Sequence, residues 1–423
     1  MTQRRMSPWE GLAFLMGLAF LNYMDRNLLL PLQTRIEHEL HLSSSQIGAL
    51  STGFHVVYAF AAPLVGVASD RFQRRTLILI SLVAWSLLTM LTGLATGFPF
   101  LLLCRSLTGL GEGGYFPTAV PLIGDLFPPE RRGTAIAFHG VMTTLGGGAG
   151  LMLGGALGGW LGWRAPFFVS IVPGLTLAYL FYRRFQEPPR GGSESRGSAA
   201  LAPVERRPWL QIVTAPPVLL IAFTACFGAF AMQGLSTFLP RYLREAVRLS
   251  EAQTGILSGL GFWLTLVGVL PGGLLSDRLA RRSRGMRPLL VALPYLAAAP
   301  VIFFLGSVVD RAAVVACYGL AMAARGFAEP NIYGTVLDAV PATERGSAQG
   351  FMLMLTFGGA SASGLAGGAI LDAIAGPTEL RTAATIAAAY TRVFQAFAVS
   401  ALLAGLCGLA LATTLRRQRG ASA

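Results

Sequence analysis

Seven ionisable side chains, Asp25, Arg26, Arg105, Glu112, Arg325, Glu329 and Arg392, stand inside stretches that are otherwise apolar. In hydrocarbon each such group costs at least a few kcal/mol, so each marks a place where charge is put to use. Carboxyls can load and release protons, and guanidinium groups can hold an anion. Asp25 and Arg105 lie a similar number of residues from the outer ends of their stretches. At about 1.5 Å per residue they share one level, and a pair between them is available. Glu112 follows Arg105 by two helical turns, which sets it roughly 10 Å deeper, near the midplane and out of easy reach of Arg105. One reading gives Arg105 and Arg26 an anionic solute group to attract, with Tyr115 and Phe116 beside it, while Glu112 and Asp25 exchange protons. Glu112, buried without a fixed cation, would then take a proton up readily. The other reading is a structural charge network tying two helices together. Arg325 and Glu329 are four apart, a spacing that favours a pair within one helix, and they form a secondary candidate. His55 and His139 read as satisfied core histidines, and Tyr58, Trp85 and Trp263 as packing or cavity lining.

The elements that must carry these groups follow from hydropathy. The chain has 423 residues, 53% hydrophobic and only 13% charged, which excludes a water-soluble globule of this size. Runs of about 20 apolar residues, long enough to cross hydrocarbon, recur twelve times. The expected spans are 10–32, 46–69, 76–95, 99–125, 133–158, 164–183, 216–243, 250–275, 288–306, 311–337, 346–372 and 390–415. The formal net charge is +13, and all 33 basic residues are Arg. With the N-terminus inside, 22 of these fall in cytoplasmic segments, 7 in outer loops and 4 in the spans. That bias places both termini in the cytoplasm and assigns the basic clusters to anionic headgroups, not to nucleic acid. The absence of lysine fits a GC-rich bacterial genome, hence a bacterial inner membrane.

Between Arg183 and Pro208 the composition changes to Arg, Pro, Gly, Ser and Glu, which reads as a solvated linker. The expected organisation is an N-terminal six-helix half over 1–183, a cytoplasmic linker over 184–212 and a C-terminal half over 213–423. The halves repeat. Leu42-Ser43, Gln46, Gly48, Leu50 and Ser51 recur 207 residues later, as do Gly66, Ser69-Asp70-Arg71 and Arg74-Arg75, the last as Arg281-Arg282. Further on, Pro117, Asp125, Pro128, Arg132 and Gly133 recur at an offset of 213 as Pro330, Asp338, Pro341, Arg345 and Gly346. A duplicated six-helix unit places a binding site at the interface of the halves.

Gly66-x-x-x-Asp70-Arg71-x-x-x-Arg75 and its copy at 273–282 resemble the signature loop of the major facilitator superfamily, and Arg105-x-x-x-Gly109-x-x-x-Gly113 resembles that family's fourth-helix motif. The resemblance implies an all-α membrane protein of twelve transmembrane helices in two pseudo-symmetric halves, working by alternating access. It also implies a conformational latch at Asp70, Arg71, Arg75, Asp277 and Arg278. Asn22-Tyr23-Met24-Asp25-Arg26, Ala62-Pro63-Leu-Val-Gly66 and Glu187-Pro188-Pro189-Arg190-Gly191 resemble the spinster family, which carries lysolipid-like cargo and is proposed to be proton-linked. Gly111-Glu112-Gly-Gly-Tyr115-Phe116-Pro117 resembles the anion:cation symporters of organic anions such as sugar acids. The balance leans to spinster. Drug antiporters have proline where this chain has Leu151, which counts against them.

Cys104, Cys226, Cys317 and Cys407 lie in apolar spans without ligand-like spacing, so neither disulfides nor a metal site is expected. There is no His-Glu-x-x-His, no Gly-x-Ser-x-Gly and, without lysine, no phosphate-binding Walker loop. An enzyme and an ATP-driven pump are therefore not expected, nor is any cofactor. The first apolar stretch is too long for a signal-peptide core. The expected partners are a small-molecule substrate, protons and the bilayer, with the chain acting as a monomer. A channel or receptor is the alternative of another class.

Overall fold

The computed structural model describes residues 6–42, 44–193, 207–249, 251–280, 286–375 and 382–420. Its helices are α1 Pro8–Asn27, α2 Gln33–Glu39, α3 Ser44–Arg71, α4 Arg74–Thr92, α5 Phe98–Gly113, α6 Phe116–Leu126, α7 Pro129–Leu161 and α8 Ala165–Arg184. The series continues with α9 Trp209–Val213, α10 Pro216–Glu245, α11 Glu251–Ala280, α12 Met286–Leu305, α13 Arg311–Ala339, α14 Arg345–Ala375 and α15 Ala383–Gly420. Apart from the short α2 and α9, they supply the twelve expected crossings, with α5 and α6 together making the fourth. Among the described residues nine are long and apolar enough to cross a membrane. Of the rest, α1 carries Glu10, Asp25 and Arg26, α5 and α6 are each too short alone, and only some side chains of α11 are described. Large apolar side chains such as Phe60, Leu64, Trp160 and Leu365 lie exposed along these helices, as lipid contact requires.

Local chemistry sets the helix ends. Ser7 and Glu10 form a reciprocal capping box at the start of α1. Pro128-Pro129 opens α7, and Gly162, at φ 87°, closes it. The fourth crossing breaks because Pro117 has no N–H to donate to Gly113, while the Gly114 and Tyr115 amides tighten onto Gly111 and Glu112. Its repeat partner, Pro330, sits inside an uninterrupted α13.

The chain forms two compact units, Met1–Thr214 with Val340–Met354, and Ala215–Ala339 with Leu355–Ala423. The start of α14 therefore groups with the first unit, against the single boundary expected near residue 213. The Asp70 carboxylate explains this, accepting the amides of Gly346 and Ser347 at 2.8 and 2.7 Å. These are first-turn amides of α14 that lack partners within the helix. Nor is the first part of the expected linker solvated. Glu187 accepts the amides of Arg74 and Arg75, both at 3.0 Å, and Arg190 donates to the carbonyls of Asp70 and Phe72. Gly191, at φ 66°, donates to Asp125 at 2.9 Å. Ser193 donates to the Gly124 carbonyl at 2.8 Å. Residues 194–206 of that linker lie outside the described residues, as do Ser43, Ser250, Arg281 and Arg282 of the repeat.

Candidate functional site

Within the first unit, α1, α3, α4 and α5 bring the sequence-selected charges together. The Arg26 Nε donates to Glu112 Oε2 at 2.8 Å, and its Nη2 donates to Asn22 Oδ1 at 3.2 Å. Tyr23, Phe54 and Tyr58 surround the guanidinium at 4.6, 5.1 and 5.2 Å from their ring centres, so cation–π attraction offsets part of its desolvation. Arg105 lies 5.3 Å from the centre of the Phe54 ring and donates through Nη2 to the Arg26 carbonyl at 3.4 Å. Its Nε and Nη1 are buried without a hydrogen-bond partner. Glu112 is fully buried, its Oε1 likewise unpartnered. Both carboxylate oxygens of Asp25 are buried without a hydrogen bond, although the Trp85 indole lies beside them.

Two expectations are corrected. Asp25 and Arg105 are in electrostatic reach but form no ion pair, and Glu112, expected to stand without a fixed cation, is bonded to Arg26. Depth along the helices was estimated from residue counts, but rotation about α1 decides the partner. Consecutive residues diverge by about 100°, so Asn22 and Arg26 share the face toward Glu112 while Asp25 turns toward α4. Tyr115 and Phe116, expected beside the solute, are both buried. The Tyr115 hydroxyl donates to the Leu15 carbonyl and contacts His139, and Phe116 packs edge-on against Tyr23 and His139. The His55 Nδ1 lies 2.8 Å from the Ser51 carbonyl, as a satisfied histidine should. Trp263 is exposed on α11.

In the second unit Arg325 and Glu329 are half-buried on α13, and no ion pair between them forms. Arginine preceding glutamate is the weaker order for an i,i+4 pair, although Arg241 and Glu245 form one in that order at 3.3 Å. Both lie in electrostatic reach of Tyr295 on α12. Arg392 is exposed and donates to Gln395 at 3.0 Å.

Sequence spacing missed the arginines that organise the inner ends. Arg74, fully buried, pairs with Asp125 and stands 3.8 Å from Asp70, and Arg345 adds a second cation 3.6 Å from Asp125. The second unit repeats this with Arg287, which stands 3.4 Å from Asp277 and 2.5 Å from Asp338. Of the expected latch, Asp70 and Asp277 lie in these clusters. Arg71 and Arg278 are exposed instead, and Arg75 donates to the Tyr182 carbonyl. The partner of Arg74 across the repeat is therefore Arg287, at the 213 offset, and the insertion falls between Asp277 and Arg287. The change of offset was the signal that could have revealed it.

Twelve crossings in two units, buried guanidinium and carboxyl groups within the first, and duplicated inner-end clusters define a multi-pass membrane transporter fold. The sequence pattern of the Major Facilitator Superfamily matches residues 15–365, and the chain belongs to that family. It is similar to the hexuronate transporter of Bacillus subtilis (strain 168), 28% identical over 393 residues, covering 91% of this chain and 92% of that protein. It is also similar to protein spinster homolog 1 of Xenopus tropicalis, 30% identical over 67% of this chain but only 57% of that protein's length. Among solved structures, a bacterial homologue of the human lysosomal transporter spinster, in an inward-facing and unoccupied conformation, shares the fold with a TM-score of 0.65. That likeness is at 21% identity and covers 97% of this chain and 98% of that one.

Proposed function

We propose that this chain is a proton-coupled secondary transporter of a small organic anion, acting as a monomer in a bacterial inner membrane with both termini cytoplasmic. The observation that carries the reading is the buried Arg26–Glu112 pair with Arg105 beside it. When Asp25 carries its proton, two guanidinium groups and the one bonded carboxylate leave one positive charge to spare, which an anionic solute can neutralise. Glu112 and Asp25 are the groups that gain and lose the coupling proton. For Asp25 the rationale is direct, because a buried carboxyl without a partner loses its desolvation penalty on becoming neutral. Asp70 and Asp277, with Arg74 and Arg287, serve as inner-end latches, while Arg325 and Glu329 remain secondary candidates. Similarity to the hexuronate transporter over nearly its whole length supports sugar acids as the substrate class. A second reading, lysolipid-like cargo, is supported by the similarity to spinster homologues.

The test is uptake into proteoliposomes of labelled D-glucuronate and, separately, lysophosphatidylcholine under an imposed proton gradient. Glucuronate is expected to accumulate. Glu112→Gln should lose gradient-driven accumulation yet still exchange glucuronate in counterflow. Accumulation undiminished in that variant would overturn the proton role, and transport of the lysolipid alone would select the second reading.

A further inference from the structure

We infer that the Tyr115 hydroxyl and His139 form a polar pin that fixes the axial register of α1 and so aligns Arg26 with Glu112. The inference rests on the reading of Arg26 and Glu112 as the working pair. Tyr115 is fully buried at the break between α5 and α6. Its hydroxyl donates to the Leu15 carbonyl at 2.5 Å and lies 2.9 Å from His139 Nε2 on α7. A tyrosine has one proton to give, and with that proton on Leu15 the histidine must be the donor in the second contact. The Leu15 carbonyl lies within α1, where it can accept a helical bond and still offer its second lone pair to Tyr115. Three helical elements therefore meet at one oxygen. The stacked rings of Tyr115 and His139, 5.8 Å apart and inclined by 22°, hold it in place.

The pin works alongside a close backbone contact between α1 and α7. Along α7, Gly146, Gly150 and Gly154 face the carbonyls of Phe20, Met24 and Leu28, and a Cβ at any of them would collide with that backbone. Such a seam permits close approach of the two backbones, and the Tyr115 and His139 bonds add a directional contact to it. From Leu15 to Arg26 is eleven residues, about 16 Å along the helix, and Glu112 lies one turn from Tyr115. A one-residue slip of α1 would carry Arg26 about 1.5 Å along its axis and turn it by about 100°, away from the 2.8 Å bond to Glu112. The edge of Trp85, 6.0 Å from Tyr115 and beside Asp25, extends the same alignment to the second carboxyl.

A double-mutant cycle in melting temperature tests this on the purified full chain, without substrate. Tyr115→Phe is expected to lower the melting temperature by about 4–8 °C, the size of two lost buried hydrogen bonds in a unit of this length. In an Arg26→Gln background the same change should cost at most half as much, because the pair it aligns is already gone. His139→Gln, which keeps a donor, should match the parent, whereas His139→Leu should lose about half of what Tyr115→Phe loses. Additive losses from Tyr115→Phe and Arg26→Gln would show mere packing and overturn the proposal, as would equal losses in the two His139 variants. Neither result bears on gradient-driven uptake, so the transport reading stands or falls separately.

Discussion

Arg26 and Arg105 carry the same charge in one cluster, but their surroundings give them different tasks. Arg26 is committed to Glu112 and walled by three rings, so removing it leaves a buried carboxylate without its cation. Loss of one partner from such a pair costs about 3–5 kcal/mol. Arg105 has two nitrogens without partners and no carboxylate bonded to it, so its removal breaks only the long bond to the Arg26 carbonyl and leaves the Glu112 ion pair in place. Arg26→Ala is therefore expected to melt well below the parent, while Arg105→Ala melts close to it but loses the stabilisation that glucuronate confers on the parent. A thermal-shift series with both variants checks this, and a glucuronate shift retained in Arg105→Ala would remove Arg105 from the binding site. The identity of these residues was legible in the sequence because charge in an apolar stretch is conspicuous. Their pairing was not, because residue counts fix depth while the direction in which Arg26 and Asp25 point depends on how α1 is rotated against its neighbours.

Among the elements, α2 illustrates what hydropathy overlooks. Hydropathy leaves it between two spans, yet Ile36, with Leu32 just before the helix, buries in one cluster with Trp163 and Phe167, and Glu39 fastens its end. Glu39 accepts from the Arg164 guanidinium and, at 2.8 Å, from the Trp163 indole, while Arg164 also donates to the Ala95 carbonyl at 3.1 Å. Three loops are thereby gathered at one place. The hydrogen bond from Arg164, aided by that from Trp163, holds the Glu39 carboxyl below its ordinary range. A depressed folded value means the contribution is complete above the ordinary carboxylate range and is lost as pH falls through the lower folded value. The group is half-exposed, so the effect is local and screened by solvent. Hydrogen exchange across 33–39 should thus stay slow at neutral pH and quicken only in acid below the ordinary range, and Glu39→Gln should exchange faster at neutral pH. Unchanged exchange in Glu39→Gln would show that the apolar contacts alone seat α2. The broken fourth crossing was similarly hidden, since Pro117 and Pro330 occupy matching positions but only the former interrupts its helix.

For the whole molecule, duplication was the plainest message of the sequence, because two blocks at constant offset outlast the drift of individual residues. The location of the insertion was not plain, since an Arg-rich stretch offers several alignments and only the bonds of Arg287 choose among them. Arg74 and Arg287 each hold two buried carboxylates, in clusters that share no residue. Arg74→Gln and Arg287→Gln are each expected to destabilise by about 3–5 kcal/mol, and their combination should be the sum to within about 0.5 kcal/mol. Unfolding of the single and double variants checks this, and a double variant no worse than either single would tie the two clusters into one cooperative network. The fastened start of the linker has a further consequence. Gly191 is bonded to Asp125, and Arg207 is bonded to Glu344, whose neighbour Arg345 faces that same aspartate. The described residues on either side of 194–206 are therefore each fastened to a neighbouring group, and lengthening a connection between fixed ends costs only about 0.6 kcal/mol per doubling. Evolution or an engineer could splice a whole foreign module there, and the grip on either side would hardly register its presence.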